Sequence, residues 1–336
     1  MSASSPATSV DATDAKGAFV RKEATFRNVV SPDAGAEYPA EAGRYLLYVA
    51  HACPWACRCL AMRKLKGLEA AIDVVVVNPV WARTNPDSAD DEHRGWTIDE
   101  GVDPIFGART MREVYDRSTP EGGPKASVYS VPVVFDTKTK TIVSNESSEI
   151  IRFMNTAFNA FAKFPDYDAY PEALRAGIDA MNERTYNSIN NGVYRCGFAK
   201  SQEAYDGAVS ELFERLDEVE AVLQKQRWLV AGSAAPTEAD IRLFVTIVRF
   251  DEVYVVYFKT NKKCIREYPA LQAWLRSVYQ YNNGVLQDTV NMDGIKQHYY
   301  RSHPVLNSYG VVPAGPGTLA SLAAPHGRDS LPIAAA

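Results

Sequence analysis

The apolar positions of this chain follow two different periods, one on each side of Asn155. From Arg44 to Val49 an apolar, aromatic-rich run of strand type breaks at His51-Ala52. Pro54 suits a first helical turn, and from there Ala56, Leu60, Ala61, Leu65 and Leu68 recur at helical spacing. A β-branched run, Ile72 to Val77, then ends at Asn78-Pro79. This predicts β-α-β within about 35 residues, the unit whose two strands lie parallel. Val131 to Asp136 and Thr141 to Ser144 read as an antiparallel hairpin around the polar turn 137–140. A helix follows through Met154, with Asn145 or Ser144 as its N-cap and acidic residues in its first turn. Between the two halves of this pattern, residues 79–127 form a long irregular insertion holding Trp81, Trp96 and a short helix within 107–118. A loop of that length in a compact domain is usually functional.

Beyond a connector at 156–171 the periods are helical: Leu174–Tyr186, Tyr205–Gln224, Thr237–Phe250 and Tyr268–Gln280. Thr237-Glu238-Ala239-Asp240 reads as a capping box opening a buried helix. The order β-α-β-(long loop)-β-β-α is the thioredoxin-like arrangement, and Pro132 would be its cis-proline, since a proline inside a strand needs a special reason. The predicted fold class is α/β plus all-α: a thioredoxin-like domain, then a helical-bundle domain. The predicted boundaries are an N-terminal extension at 1–42, the thioredoxin-like domain at 43–156, the all-helical domain at 157–300 and a C-terminal tail at 301–336.

Composition narrows the setting. Apolar residues make up 46% of the chain and charged residues 23%, as in an ordinary globular protein. A net charge of −5 gives no basic footprint, so nucleic acid is not expected as a partner. No apolar run approaches the ~20 residues of a membrane helix, and the Ser/Ala/Thr-rich start lacks the form of a secretory signal. The expected setting is the cytoplasm, with no membrane contact. Five cysteines, an odd number with three crowded between positions 53 and 59, argue against a disulfide framework.

Those three cysteines bring in the chemistry. Cys53 directly precedes Pro54, where a strand hands over to the N-terminus of a helix. Unpaired backbone N–H groups and the positive end of the helix dipole gather there, and such a site lowers a thiol pKa from about 8.5 toward ~4–7. Cys53 is therefore the candidate nucleophile. Cys57 and Cys59 read as packing residues, and His51 with the three cysteines lacks zinc-ligand spacing, so no metal is expected.

Several segments together resemble the Xi class of glutathione transferases, the S-glutathionyl-hydroquinone reductases, in its fungal form. They are Cys53-Pro54-Trp55-Ala56, Arg63 to Leu68, Val131-Pro132-Val133, Ser144 to Arg152, Gly192-Val193-Tyr194, Arg249-Phe250-Asp251 and His298 to His303. The resemblance implies an enzyme, both transferase and oxidoreductase, with glutathione as co-substrate, working as a homodimer. It implies that the Cys53 thiolate takes glutathione off a quinol ring as a mixed disulfide, which a second glutathione resolves; Ala56 stands where a resolving cysteine would be. Glutathione would be held by Trp96, the backbone of Val131 beside Pro132, and Glu146 with Ser147 at a helix start. Val128 stands where the family carries a basic residue for a glutathione carboxylate, and Lys125 is the nearest basic residue. The quinol would meet Tyr194, Tyr299 and Tyr300. For Tyr194 a buried structural tyrosine is an equal reading, and His298 and His303 carry no catalytic role. The competing readings are an Omega-like thiol transferase or dehydroascorbate reductase, and a non-catalytic binding protein of the same fold.

Overall fold

The computed structural model describes residues 12–33, 35–119, 123, 126 and 128–333. The chain divides into two compact units. The first comprises Val20–Pro165 and Asp293–Val311, with Ala12; the second comprises Thr13–Phe19, Asp166–Met292 and the chain from Val312 onward.

In the first unit a mixed sheet runs β2-β1-β5-β6. Its strands are β1 (Tyr45–Val49), β2 (Ile72–Val76), β5 (Val133–Asp136) and β6 (Thr141–Ser144). Every residue of β1 is buried, as a central strand with both faces covered must be. β2 lies parallel to β1, and β5 and β6 antiparallel to their neighbours, matching the predicted βαβ and hairpin. Helices α1 (Pro54–Lys66) and α3 (Ser147–Thr156) pack on one another. α1 ends at Gly67 in the left-handed region (φ 64°), whose N–H bonds the Arg63 and Lys64 carbonyls. A Cβ there would lie 2.5 Å from Cβ of Lys163, so glycine is required twice over. Residues 26–28 run along the outer side of β6, where Asn28 N–H bonds the Val143 carbonyl and Asn145 N–H bonds the Phe26 carbonyl. The free edge is thereby covered.

The insertion is described without a break from Pro79 to Thr119. It carries a two-stranded ribbon, β3 (Ala82–Arg83) with β4 (Arg94–Gly95), and α2 (Met111–Ser118), the predicted short helix. The buried carboxylate of Asp103 accepts the hydroxyl of Tyr48 at 2.6 Å and the N–H groups of Ile105, Phe106 and Ala108. One side chain thus ties the loop to the central strand.

The second unit is helical: α4 (Arg175–Thr185), α5 (Gly192–Gly197), α6 (Gln202–Leu223), α7 (Glu238–Ile247), the one-turn α8 (Val255–Tyr257), α9 (Pro269–Tyr279), α10 (Tyr281–Gly284) and α12 (Thr318–Leu322). α7 opens with Asp240 accepting the Thr237 N–H at 2.9 Å, the predicted box. The same buried carboxylate takes the Trp274 indole N–H and the Leu229 N–H, joining α7 to α9. Burial pushes its pKa up, against those donors.

Two segments group differently from the predicted boundaries. α11 (Met292–Ser302), expected in the helical domain, belongs from Asp293 to the first unit, because its side chains bond the insertion. The tail from Val312 belongs to the second unit: Thr318 N–H bonds Glu252, and buried Arg328 donates to the carbonyls of Leu223, Gln226, Arg227 and Ala270. Leu223 is the last residue of α6 and Gln226 and Arg227 lie in the segment after it, so a guanidinium fork satisfies carbonyls around that helix end without any periodic sequence signal.

At the sheet's opposite end from the insertion, Arg44 grips Asp136 bidentately, with contacts of 3.0 and 2.6 Å in a buried setting. Burial alone would raise the Asp136 pKa, but the Arg44 guanidinium and the Lys138 N–H hold it below the usual carboxylate value. A depressed carboxylate stabilises the fold above its unfolded pKa of about 3.9, and that contribution is lost as pH falls through the folded value. Asp136→Asn should therefore lower the unfolding free energy at neutral pH by about 3 kcal/mol. In urea melts the gap to the parent protein should close below about pH 4. A gap that stays constant down to strong acid would remove the charge from the explanation.

Candidate active site

The site is built where β1 ends. Cys53 is the N-cap of α1 in an extended conformation (φ −81°, ψ 118°), Pro54 occupies the first helical position, and the first turn holds no acidic residue. Cys53 N–H bonds the Ala50 carbonyl, and Cys57 N–H bonds the Cys53 carbonyl. Its thiol donates to the carbonyl of Val131 at 3.4 Å, and the Val131–Pro132 bond is cis, as the sequence led us to expect. Cys53 is buried, with 8% of the residue exposed. Pro54 carries no N–H, so the donors of the first turn aimed past Cys53 come from the residues after it.

Cys57 and Cys59 take the packing role. Their thiols turn to the carbonyls of His51 (3.2 Å) and Trp55 (3.9 Å). Burial pushes the Cys59 thiol well up, with Arg58 opposing, and burial pushes Cys196 up to about 12. Such thiols stay protonated and inert. Among the described residues no group of three or more His, Cys, Asp or Glu is arranged to hold a metal.

The N-terminus of α3 lies in the same unit. The sequence pointed to Asn145 or Ser144 as its cap; the cap is Glu146, whose carboxylate accepts the Ser148 N–H at 3.0 Å and hydroxyl at 2.7 Å. Asn145 is occupied elsewhere: its amide oxygen takes the Phe26 N–H and its NH2 donates to the Tyr115 hydroxyl, which donates to the Ser130 carbonyl. That chain clamps the strand entrance just before Val131. Burial pushes Tyr115 up to about 12, so it remains a neutral donor. Ser147 is buried, and the buried guanidinium of Arg58 approaches its hydroxyl at 3.5 Å while stacking 4.4 Å over Trp55. Arg58 and Tyr115 escaped the sequence reading, because neither lies in a strand end or a helix start where chemistry announces itself.

Trp96, 5% exposed, is fixed beside the end of β2, where Asn78 N–H bonds the Thr97 carbonyl and the Asn78 amide bonds Thr97 and Asp99. Trp81 meets it edge-on at 5.5 Å and His298 stacks on it at 4.6 Å. Tyr299 and Tyr300 are buried on α11 in this unit. Tyr194 belongs to the helical unit, among Phe19, Phe198, Tyr254 and Phe258. Lys125, the basic residue considered for a glutathione carboxylate, lies outside the described residues.

The chain matches two family descriptions, "Glutathione S-transferase, N-terminal domain" over residues 52–157 and "Glutathione S-transferase, C-terminal domain" over residues 202–277. It is 45% identical to glutathionyl-hydroquinone reductase YqjG of Escherichia coli over 93% of both chains. A solved Xi-class glutathione transferase from Natrialba magadii is similar with a TM-score of 0.83 and 44% identity, over 91% of this chain and 89% of that one. The glutathione-bound structure of Escherichia coli YqjG is similar with a TM-score of 0.81 and 43% identity, over 91% and 96%. No helix among the described residues is long and apolar enough to cross a membrane. With its thioredoxin-like half, its helical half and these relatives, the chain belongs to the Xi class of the glutathione transferase family.

Proposed function

We propose that this protein is a glutathione-dependent reductase that removes glutathione from S-glutathionyl-hydroquinones, with Cys53 as its nucleophile. The observation that carries the reading is the Cys53 thiol at the start of α1, 3.4 Å from the carbonyl that precedes cis-Pro132, in a chain of this family. The Cys53 thiolate attacks the sulfur that joins glutathione to the ring. The sulfur–carbon bond breaks, the ring carbon takes up a proton, and a Cys53–glutathione disulfide forms. A second glutathione thiolate then attacks that disulfide and releases glutathione disulfide and free Cys53. The sum is one free glutathione consumed and one glutathione disulfide formed per ring reduced.

The remaining assignments follow the chemistry of glutathione. The backbone of Val131 beside Pro132 pairs with the cysteinyl part in the manner of an added strand. Glu146 and Ser147, at the N-terminus of α3, receive the γ-glutamyl end, where helix N–H groups favour a carboxylate. Trp96 covers the peptide, and Lys125 takes a carboxylate. Tyr194, Tyr299 and Tyr300 meet the quinol with their hydroxyls. The enzyme works in the cytoplasm as a homodimer.

Four measurements test this reading. Purified protein given glutathione and a glutathionyl-hydroquinone should yield hydroquinone and glutathione disulfide, and Cys53→Ser should reduce turnover at least about a thousandfold; full activity in that variant ends the mechanism. Mass spectrometry of protein treated with the glutathionylated quinol should find one glutathione-sized adduct, on the Cys53 peptide. Iodoacetamide at neutral pH should label Cys53 first and spare Cys59 and Cys196, whose burial keeps them protonated. Equal labelling of Cys59 and Cys53 would contradict the picture of one activated thiol. Light scattering should give twice the chain mass, and a single-chain mass at micromolar concentration would remove the dimer.

A further inference from the structure

His298 is 6% exposed and belongs to none of the roles above. Its ring lies almost flat on the indole of Trp96, with centroids 4.6 Å apart and planes 22° apart. Its Nδ1 lies 2.8 Å from the carbonyl oxygen of Pro79. A carbonyl oxygen only accepts, so Nδ1 carries the hydrogen, and the tautomer and ring plane are set together. The hydroxyl oxygen of Ser302, 3.1 Å from the same Nδ1, accepts the Trp81 N–H at 3.0 Å. Trp81 then closes the cluster edge-on, 5.2 Å from His298 and 5.5 Å from Trp96. The insertion that bears Trp96 is therefore anchored to α11 at two backbone points, Pro79 and Trp81, and at one ring face. All of these residues belong to the first unit.

We propose that His298 is a positioning residue for the glutathione site, holding the Trp96 indole in one plane and at one height before ligand arrives. The inference rests on the reading that Trp96 contacts glutathione. An indole held only by its own backbone must be ordered when ligand binds, and that ordering is subtracted from affinity. His298 removes the cost in advance by two contacts of different kind: the stack restricts the indole's tilt, and the bond to Pro79 fixes the ring that does the stacking. The sulfur chemistry at Cys53 uses neither, so His298 acts on glutathione binding and not on bond breaking.

The test is calorimetric titration of reduced glutathione into the full-length protein and variants at positions 298 and 96, alongside steady-state kinetics. His298→Phe keeps an aromatic face but loses the bond to Pro79; it should weaken glutathione binding about tenfold, appearing in the KM for glutathione with kcat nearly maintained. His298→Asn places an amide donor where Nδ1 stood and should recover part of that loss. If His298→Phe does not fold, the comparison of His298→Asn with the parent carries the test, with about a threefold loss expected. Trp96→Phe should weaken binding by itself, and adding His298→Phe should then cost almost nothing more, because the positioned group is gone. The proposal is overturned if the two losses multiply in the double variant, or if the His298 variants bind glutathione like the parent while Trp96→Phe does not. Unchanged binding in Trp96→Phe itself would remove Trp96 from the glutathione site and take this proposal with it.

Discussion

The register between β1 and β5 is the constraint on which the site depends. Tyr45 faces Asp136 and Tyr48 faces Val133, so beyond that pair the two chains continue to Val49 on one side and to Pro132 and Val131 on the other. The Arg44–Asp136 ion pair pins the far end of the ladder, and the tyrosine–aspartate bond from Tyr48 to Asp103 ties the end nearer Cys53 to the insertion. A slip of one residue would turn every side chain of β1 to the opposite face and displace Val131 by about 3.3 Å. The contact between the Cys53 thiol and the Val131 carbonyl would then be lost. Placing a sulfur beside one carbonyl is thus a property of the whole sheet.

The same strand fixes the other flank. β1 and β2 run in parallel from Tyr45–Ile72 to Val49–Val76, and Val77 N–H continues the ladder to the Val49 carbonyl. One residue later Asn78 N–H bonds the Thr97 carbonyl, so the insertion begins and returns at the end of the sheet where Cys53 sits. This is how a long irregular loop can carry a precisely held tryptophan. Asn78 and Thr97 tie it to the end of β2, Asp103 ties it to β1, and α11 holds its first turn. Loop closure is cheap when both ends are already fixed, and buried aromatic rings supply the cohesion that regular hydrogen bonding does not.

What was legible in the sequence was what periodicity and local chemistry encode. The βαβ unit, the hairpin, the four long helices and the helix start at Pro54 each follow from a local pattern, and the cis bond at Pro132 follows from the order of the elements around it. Contacts between distant segments left no such trace. Asn145 and Ser144 resemble helix caps by residue type, yet the backbone at Phe26 and the Tyr115 hydroxyl claim Asn145, and the cap falls to Glu146. α11 has an ordinary helical period, and only Pro79, Trp81 and Trp96 show that its partners are in the first unit. Arg328, in a tail without periodicity, is held by carbonyls about a hundred residues earlier. Pairings across such spans are tertiary facts, and no local rule could supply them.

Under the mechanism proposed above, the geometry also bears on why Cys53 would work with an external thiol. In a dithiol enzyme the mixed disulfide is resolved by a cysteine three positions along the helix, and here that place is Ala56, with no exposure at all. Cys57 is the next thiol along. Its sulfur turns toward the His51 carbonyl, behind the helix start, so reaching Cys53 would require breaking that bond and rotating against a packed face. Cys59 sits deeper, and burial keeps it protonated, which denies it the nucleophilic form. With Cys57 and Cys59 withdrawn, a disulfide on Cys53 has no exit along α1. A small external thiol then becomes the second reactant, and an opening toward solvent at Cys53 is the one feature the fold must preserve for it.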